Sequence, residues 1–569
     1  MPPPPAATIS VRDTLAMLDG DKLEIAAGVA NDQYVFWLGS GISRERMPDL
    51  KELAKRVLVR LHELSDPANA GCRFQRALER VVQLAAPSER EWDDINYGRT
   101  PTEWPVFEAL AGRLVTNYAR MLNVTVDGED ADYLLWTVLD AANVYSNAAI
   151  QPDAEHLCLA ALGMEGVASE MPSANWDGLI ESAFGLLGGT QPVLRVAVSP
   201  LQTRSNRRRG NLYKFHGCAR SARDEPNIFR NLLVARQNQI NGWVANNPLM
   251  AGFLTNLIAT KSTLMLGLSA QDANIQALFA NAQNQMAWPW PSHPPAYAFA
   301  ENALGGDQEG LLQNVYHAHH SAVTKPLMDE NALVQAYAKP LLLALYLHVV
   351  TAKLQLLVGY ATVGLAPADR DNFADGLLHA RNCVADVVQP SAGVVAELLA
   401  LIGRTLSVFR DGTLLSAASG IYSPVSVEPL DRMPADPNIS GSGICQFAVA
   451  LGLIGLGLHR SYWQAEKADA AAPDDGALTL IGRSGPAKIY FVSTPQAAIR
   501  LGLNGLVAAN DDAVIVHSQA ITAPMARAPR RAPGRTGLAM VREISMSELV
   551  QEGSETEDLI ARFRSGAAL

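Results

Sequence analysis

Cysteine is scarce in this chain and widely spread. The five, Cys72, Cys158, Cys218, Cys383 and Cys445, include no Cys-x-x-Cys pair, so their spacing excludes a structural zinc ribbon and points to reduced thiols in a cytoplasm. Basic charge is also short: 46 Lys and Arg stand against 57 Asp and Glu, a formal net charge of −11. That balance argues against a surface that holds nucleic acid by bulk electrostatics. A membrane span needs ~20 apolar residues, and the longest candidate read from the sequence, residues 444–458, falls short and is interrupted by Gln446. The opening MPPPPAATIS has neither a basic stretch nor an apolar one, so residues 1–8 read as a disordered tail and not as a secretion signal. A cytoplasmic protein without a membrane partner is the expectation.

What is present is core-forming material. Hydrophobic residues make up 48% of the 569 and charged ones 18%, enough for two to four domains. A helical pattern over residues 9–30 leads into the β-formers YVFWL (Tyr34–Leu38), then Gly-Ser-Gly, then PDLKELAKRVLVRLHEL with Leu50, Leu53, Val57, Leu58 and Leu61 at helical spacing. Residues 75–165 read as a large helical insertion broken at NYGRTPTEWP. PVLRVAVS, LYKFHG and STLMLGLS are strand-length apolar runs, as in a parallel sheet buried on both faces. Helices dominate 326–409, a turn-rich connector follows, and ALTLIG, KIYFVS and DDAVIVHS read as strands around a helix. The expected fold is α/β: a Rossmann-like parallel sheet with a helical insertion over residues 9–290, a mainly helical region 291–410, a linker 411–445, and a smaller α/β domain 446–569.

Four stretches could carry chemistry. In YVFWLGSGIS, glycines after a strand and before a helix would let backbone amides approach an anion, although an ordinary buried strand ending in a turn fits as well. In SANWDGLIE, Asn175 could hold a carbonyl or a water and Asp177 a ribose hydroxyl, or either could cap the helix that starts there. In YKFHGCAR, His216 ends an apolar strand at the edge where ligand clefts open, with an ordinary pKa of about 6.5 that suits proton transfer; a packed histidine is the alternative. In LMLGLSAQDANIQALF, the turn Gly267-x-Ser269 and the pair Asp272 and Asn274 could meet a second part of a nucleotide or cap a helix.

Taken in order, Gly-Ser-Gly-x-Ser, Ser-Ala-Asn-Trp-Asp, Lys-Phe-His-Gly and Leu-Gly-x-Ser-x-x-Asp-x-Asn-Ile resemble the sirtuin family, in its bacterial NAD-degrading branch, over roughly residues 10–285. The resemblance implies that Gly39, Ser40, Gly41 and Ser43 line the NAD diphosphate, that Asn175 lies by the nicotinamide ribose and the attacking water with Asp177 near it, and that His216 is the catalytic histidine. It further implies that Gly267 and Ser269, with Asp272 and Asn274, lie beside the adenosine ribose. The chain departs from the family pattern at Ala174, Met47 and Cys218. Deacetylating sirtuins carry a four-cysteine zinc ribbon that this chain cannot build, so the expectation is an NAD hydrolase that uses water, with NAD as substrate and no metal. The cluster YHAHH, with His317, His319 and His320, has no carboxylate or cysteine pattern beside it, and no metal site is read there.

Chains of this branch resemble effectors of antiphage defence. Residues 290–569 would then restrain or sense, homo-oligomers are expected, and a HerA-type ATPase or a short Argonaute is the class of partner implied. The Pro/Ala/Arg-rich tract at 523–537 reads as a mobile, solvated loop.

Overall fold

The run YVFWL forms strand β1 (Tyr34–Leu38), and all five residues are buried. Alternate residues of a strand point to opposite faces, and here each face has its own core. Tyr34, Phe36 and Leu38 join a cluster with helices Leu23–Ala30, Ala154–Met164 and Ala338–Val358. Val35 and Trp37 join another with helices Gln237–Asn246, Pro248–Thr260 and Ala273–Gln285. Two covered faces explain why the run is apolar throughout. The computed structural model describes residues 5–569 apart from 67, 70, 286–287, 292–293, 361–363, 467–474, 508–511, 522–540 and 553–554. The tract at 523–537 and the first four residues lie outside the described residues. Residues 5–8 form a turn in which Ala6 is buried and donates its N–H to Asn302 Oδ1 at 3.1 Å, so this part of the expected disordered tail is packed.

β1 is the middle of a seven-stranded sheet with β2 (Glu170–Ser173), β3 (Leu194–Ala197), β4 (Gly210–Lys214), β5 (Ser262–Leu266), β6 (Tyr297–Ala300) and β7 (Leu333–Val334). The order is β3-β4-β2-β1-β5-β6-β7, and every pair is parallel. Register decides where the motifs fall. Leu38 pairs with both Ser173 and Leu266, and Ser173 pairs with Lys214. The ends of β1, β2, β4 and β5 are therefore level, and all four motifs leave the sheet at one edge. β1 is also where the strand order reverses, the switch point at which open α/β sheets bind ligands.

Between β1 and β2 lies the helical insertion, including helices Leu50–Leu64, Arg73–Leu84, Phe107–Val115 and Tyr118–Leu122, with its own core of Leu58, Val81, Leu110 and Met121 among others. The sheet continues past residue 290, because β6 and β7 add to it there. Helix Ala338–Val358 then links two cores: Leu341 to Leu347 pack on the first sheet, and Leu354, Leu357 and Val358 on the second half. This helix and Ala392–Asp411 are long and apolar enough to cross a membrane, which corrects the reading of 444–458 as the longest apolar candidate. Ala338–Val358 is mostly buried and carries Lys353 inside the fold, bound to the Glu165 carboxylate at 2.8 Å; here it is a core helix.

The second sheet is small and mixed, in the order β12-β11-β10-β9-β8. Its strands are β8 (Gln464–Ala465), β9 (Leu478–Gly482), β10 (Gly485–Val492), β11 (Ala513–His517) and β12 (Arg542–Ser545). Helices Ile444–His459 and Thr556–Ala567 share its core. The architecture is α/β: a Rossmann-like parallel sheet with helical regions and a second, smaller sheet.

Candidate functional site

The first glycine loop packs on the loop after β5. A Cβ at Gly39 would stand 2.3 Å from Gly267 O, one at Gly41 2.6 Å from Gly267 Cα, and one at Gly267 (φ +60°) 2.6 Å from Ile42 N. The Gly39 and Gly41 amides donate to Leu266 O and Gly267 O, each at 3.0 Å. In this structure, then, these glycines let two backbones meet, and their amides are spent within the protein. This differs from the expected free anion cradle. The loop still offers hydroxyls: Ser40 is exposed and Ser43 buried.

β2 delivers Asn175 against this loop. Asn175 Nδ2 donates to Gly39 O at 3.1 Å and to Ser43 Oγ at 3.4 Å, whereas buried Oδ1 has no hydrogen-bond partner. The carbonyl at Gly39 can only accept, so the amide orientation is set by chemistry and Oδ1 is the free end. Asp177 precedes the N-cap residue Gly178. Its Oδ1 accepts the Leu179 N–H at 3.1 Å where helix Leu179–Gly188 begins.

His216 lies two residues beyond the Ser173–Lys214 register pair, as Asn175 does, so both follow the level ends of the paired strands β4 and β2. Gly217 (φ +95°) turns the chain out, since a Cβ there would meet Leu232 O at 2.4 Å. Asn274 Nδ2 donates to His216 Nε2 at 2.8 Å, which puts the ring proton on Nδ1, and Asn274 Oδ1 is buried with no hydrogen-bond partner. Burial pushes the imidazole below its ordinary 6.5, against the opposing pull of the Asp272 carboxylate. The ring is therefore neutral at neutral pH. Asp272 accepts the Tyr118 hydroxyl at 2.7 Å from the helical insertion, and Ser269 is exposed.

Three further residues shape the site and went unread in the sequence. Lys214, buried at the end of β4, donates to Trp176 O (3.3 Å), Asp177 O and Glu181 Oε1 (2.9 Å), which fixes the loop that carries Asn175. Burial opposes its charge, but Glu181 foremost holds its pKa above the ordinary lysine value. A lone cation inside an apolar strand was the available signal. His156 contacts Ser43 across 113 residues. Tyr118 covers the site from the insertion, and nothing in its own stretch marks it.

The structure thus joins Gly39, Gly41, Ser43, Asn175 and Gly267 by direct contacts, and His216 with Asn274. The arrangement is closed: Asn175, His216 and Asn274 are 6%, 4% and 2% exposed. A cavity of about 350 Å³, lined by Glu181, Phe184, Val196, Cys218 and Arg220, lies beyond Lys214 and not at Asn175 or His216. The unpartnered carbonyl oxygens of the two asparagines are what a polar ligand with hydroxyl groups would satisfy, and in that respect the residues present fit NAD. No curated protein matches the chain. A family model described as a SIR2-like domain matches residues 170–320, the span that holds Asn175, His216 and Asn274, so this part of the chain is similar to the sirtuins, an NAD-linked family.

Proposed function

We propose that the chain hydrolyses NAD to nicotinamide and ADP-ribose. The observation that supports the reading is an asparagine with a free carbonyl oxygen and a buried neutral histidine, each two residues past the ends of two paired strands at one sheet edge. Nicotinamide leaves C1′ of its ribose through an oxocarbenium-like state as a water oxygen bonds to C1′. Asn175 Oδ1 orients that water, and His216 takes its proton or that of a ribose hydroxyl. Asn274 occupies the accepting nitrogen of His216, so substrate entry must move that amide. The hydroxyls of Ser40 and Ser43 serve the diphosphate, and Gly267, Ser269 and Asp272 the adenosine ribose.

The biological role that fits is an effector of bacterial antiphage defence, in which NAD loss halts the infected cell. The resemblance to the NAD-degrading sirtuin branch supports this, together with a cytoplasmic homo-oligomer and a HerA-type ATPase or short Argonaute as partner class. Incubating the full chain with NAD and measuring nicotinamide release tests the chemistry. Asn175→Ala and His216→Ala should each lower release by roughly 10²–10⁴-fold; undiminished release by His216→Ala would remove that residue as the base. A second reading, a subunit that senses NAD or ADP-ribose without turnover, is favoured by the closure of the site. ADP-ribose binding without nicotinamide release would select it.

A further inference from the structure

Helix Ala154–Met164 opens with an exchange of caps. Asp153 Oδ1 accepts the Ala154 N–H at 2.8 Å, and the Asp153 N–H donates to His156 Nδ1 at 3.1 Å. Because Nδ1 accepts, the ring proton of the neutral imidazole is on Nε2, and Nε2 faces Ser43 Oγ at 3.2 Å. His156 is fully buried, and burial lowers its pKa, which keeps it neutral and in that single tautomer. Ser43 Oγ thus accepts from His156 and, at 3.4 Å, from Asn175 Nδ2. With both lone pairs engaged, its hydroxyl proton is left to point at a ligand.

We infer that His156 is a positioning residue of the NAD site: it orients the Ser43 hydroxyl as a donor and, through it, holds the Asn175 amide with Oδ1 toward the substrate. Helix capping alone does not require this. A cap needs only an acceptor at Nδ1, yet the opposite ring nitrogen reaches the serine that also accepts from the Asn175 side-chain amide. The helix is itself fixed from outside, since the Asp153 carboxylate binds Arg46 at 3.0 Å and Lys339 at 3.2 Å.

The inference rests on the NAD reading, and the test separates the two. In the full chain, His156→Leu removes both ring contacts, while His156→Gln offers an acceptor to Asp153 and a donor to Ser43. His156→Leu should lower the turnover number for nicotinamide release roughly 10²-fold, the cost of a misplaced reacting group, with a smaller change in KM for NAD. His156→Gln should recover most of it. In the Ser43→Ala background, His156→Leu should have little further effect, because the two act as one unit. Equal turnover by His156→Leu and wild type, or additive losses, would overturn the positioning role. Should the leucine variant fail to fold, the wild-type chain labelled with ¹⁵N-histidine decides: a His156 proton on Nε2 whose signal shifts in Ser43→Ala supports the role, and a proton on Nδ1 refutes it. Wild-type protein that neither releases nicotinamide nor binds ADP-ribose would instead overturn the NAD reading itself, and the inference with it.

Discussion

At the scale of single residues, the candidate site is defined by what its polar atoms lack. Two buried asparagines each keep a carbonyl oxygen without a hydrogen-bond partner. A buried, unsatisfied acceptor costs about 1–3 kcal/mol, and a ligand that donates hydrogen bonds at this sheet edge would satisfy both. His216 adds a titratable group whose neutral form is favoured by burial. Its pKa lies below 6.5 in the folded chain, so the base is available through neutral pH and is lost only as protons are added below that value. Nicotinamide release should therefore hold level from pH 8 down to about pH 6.5 and decline at lower pH; a decline that begins above pH 7 in the turnover number would contradict the assignment. Asn175, Asp177 and His216 could be picked out in the sequence because polar residues just past apolar strands stand out. His156 could not, since its partner is Ser43, more than a hundred residues away.

At the scale of elements, the helical insertion does more than enlarge the domain. Its segment Tyr118–Leu122 packs Ala119 into the core beneath the site, with Tyr118 against it. The Tyr118 hydroxyl holds Asp272, the residue expected near the adenosine ribose. Burial, with Asp272 beside it, raises the Tyr118 pKa well above its ordinary value, so the phenol remains a donor to the carboxylate. Such a charge-assisted bond is worth about 1.5–3 kcal/mol and ties the helical insertion to the loop after β5. Tyr118→Phe keeps the ring and removes the bond. Basal nicotinamide release by that variant should rise by roughly 5–30-fold, the population change that one or two kcal/mol allows; unchanged or lower release would show that the contact is not a restraint. The insertion as a helical block was legible from its periodicity. That one of its tyrosines would reach the loop after β5 was not, because helical spacing reports which face is apolar and not what that face meets.

At the scale of the whole molecule, the two halves are held together by a buried ion pair. Lys353, from the helix that spans both cores, donates to Glu165 Oε2 (2.8 Å), Glu165 O (2.6 Å) and Ser426 O (2.8 Å), and Glu165 Oε1 also accepts from Tyr422 (2.5 Å) and the Val425 N–H (2.9 Å). Connector, helix Ala338–Val358 and the end of helix Ala154–Met164 thus meet at one carboxylate that is fully buried. Lys353→Met would leave that charge without its cation and should cost about 3–5 kcal/mol, seen as a lower midpoint in urea unfolding. Replacing both partners, as Lys353→Met with Glu165→Leu, should recover part of the loss; no loss in the single variant would mean that the halves are joined by apolar packing alone. Helix Ala154–Met164 carries His156 near its start and is followed by Glu165, so the second half grips the element that supports the site. A restraining role for residues beyond 290 has a physical route in these contacts.

The sequence by itself determined that the chain has a doubly covered parallel sheet, a glycine turn after its first strand, and polar groups placed just beyond strand ends. Those follow from local rules: apolar runs, periodicity and the chemistry of glycine act over a few residues. β6, set in a proline-rich stretch, and the two-residue β7 escaped because they depend on a neighbour to exist. Tertiary structure alone decided that Gly39 and Gly41 spend their amides on the β5 loop, that Tyr118 covers Asp272, and that His156 and Lys214 support Ser43 and the Asn175 loop. Each of these is a contact between segments far apart in the chain. A hydrogen bond depends on distance and angle in space, and the residues adjacent in sequence fix neither.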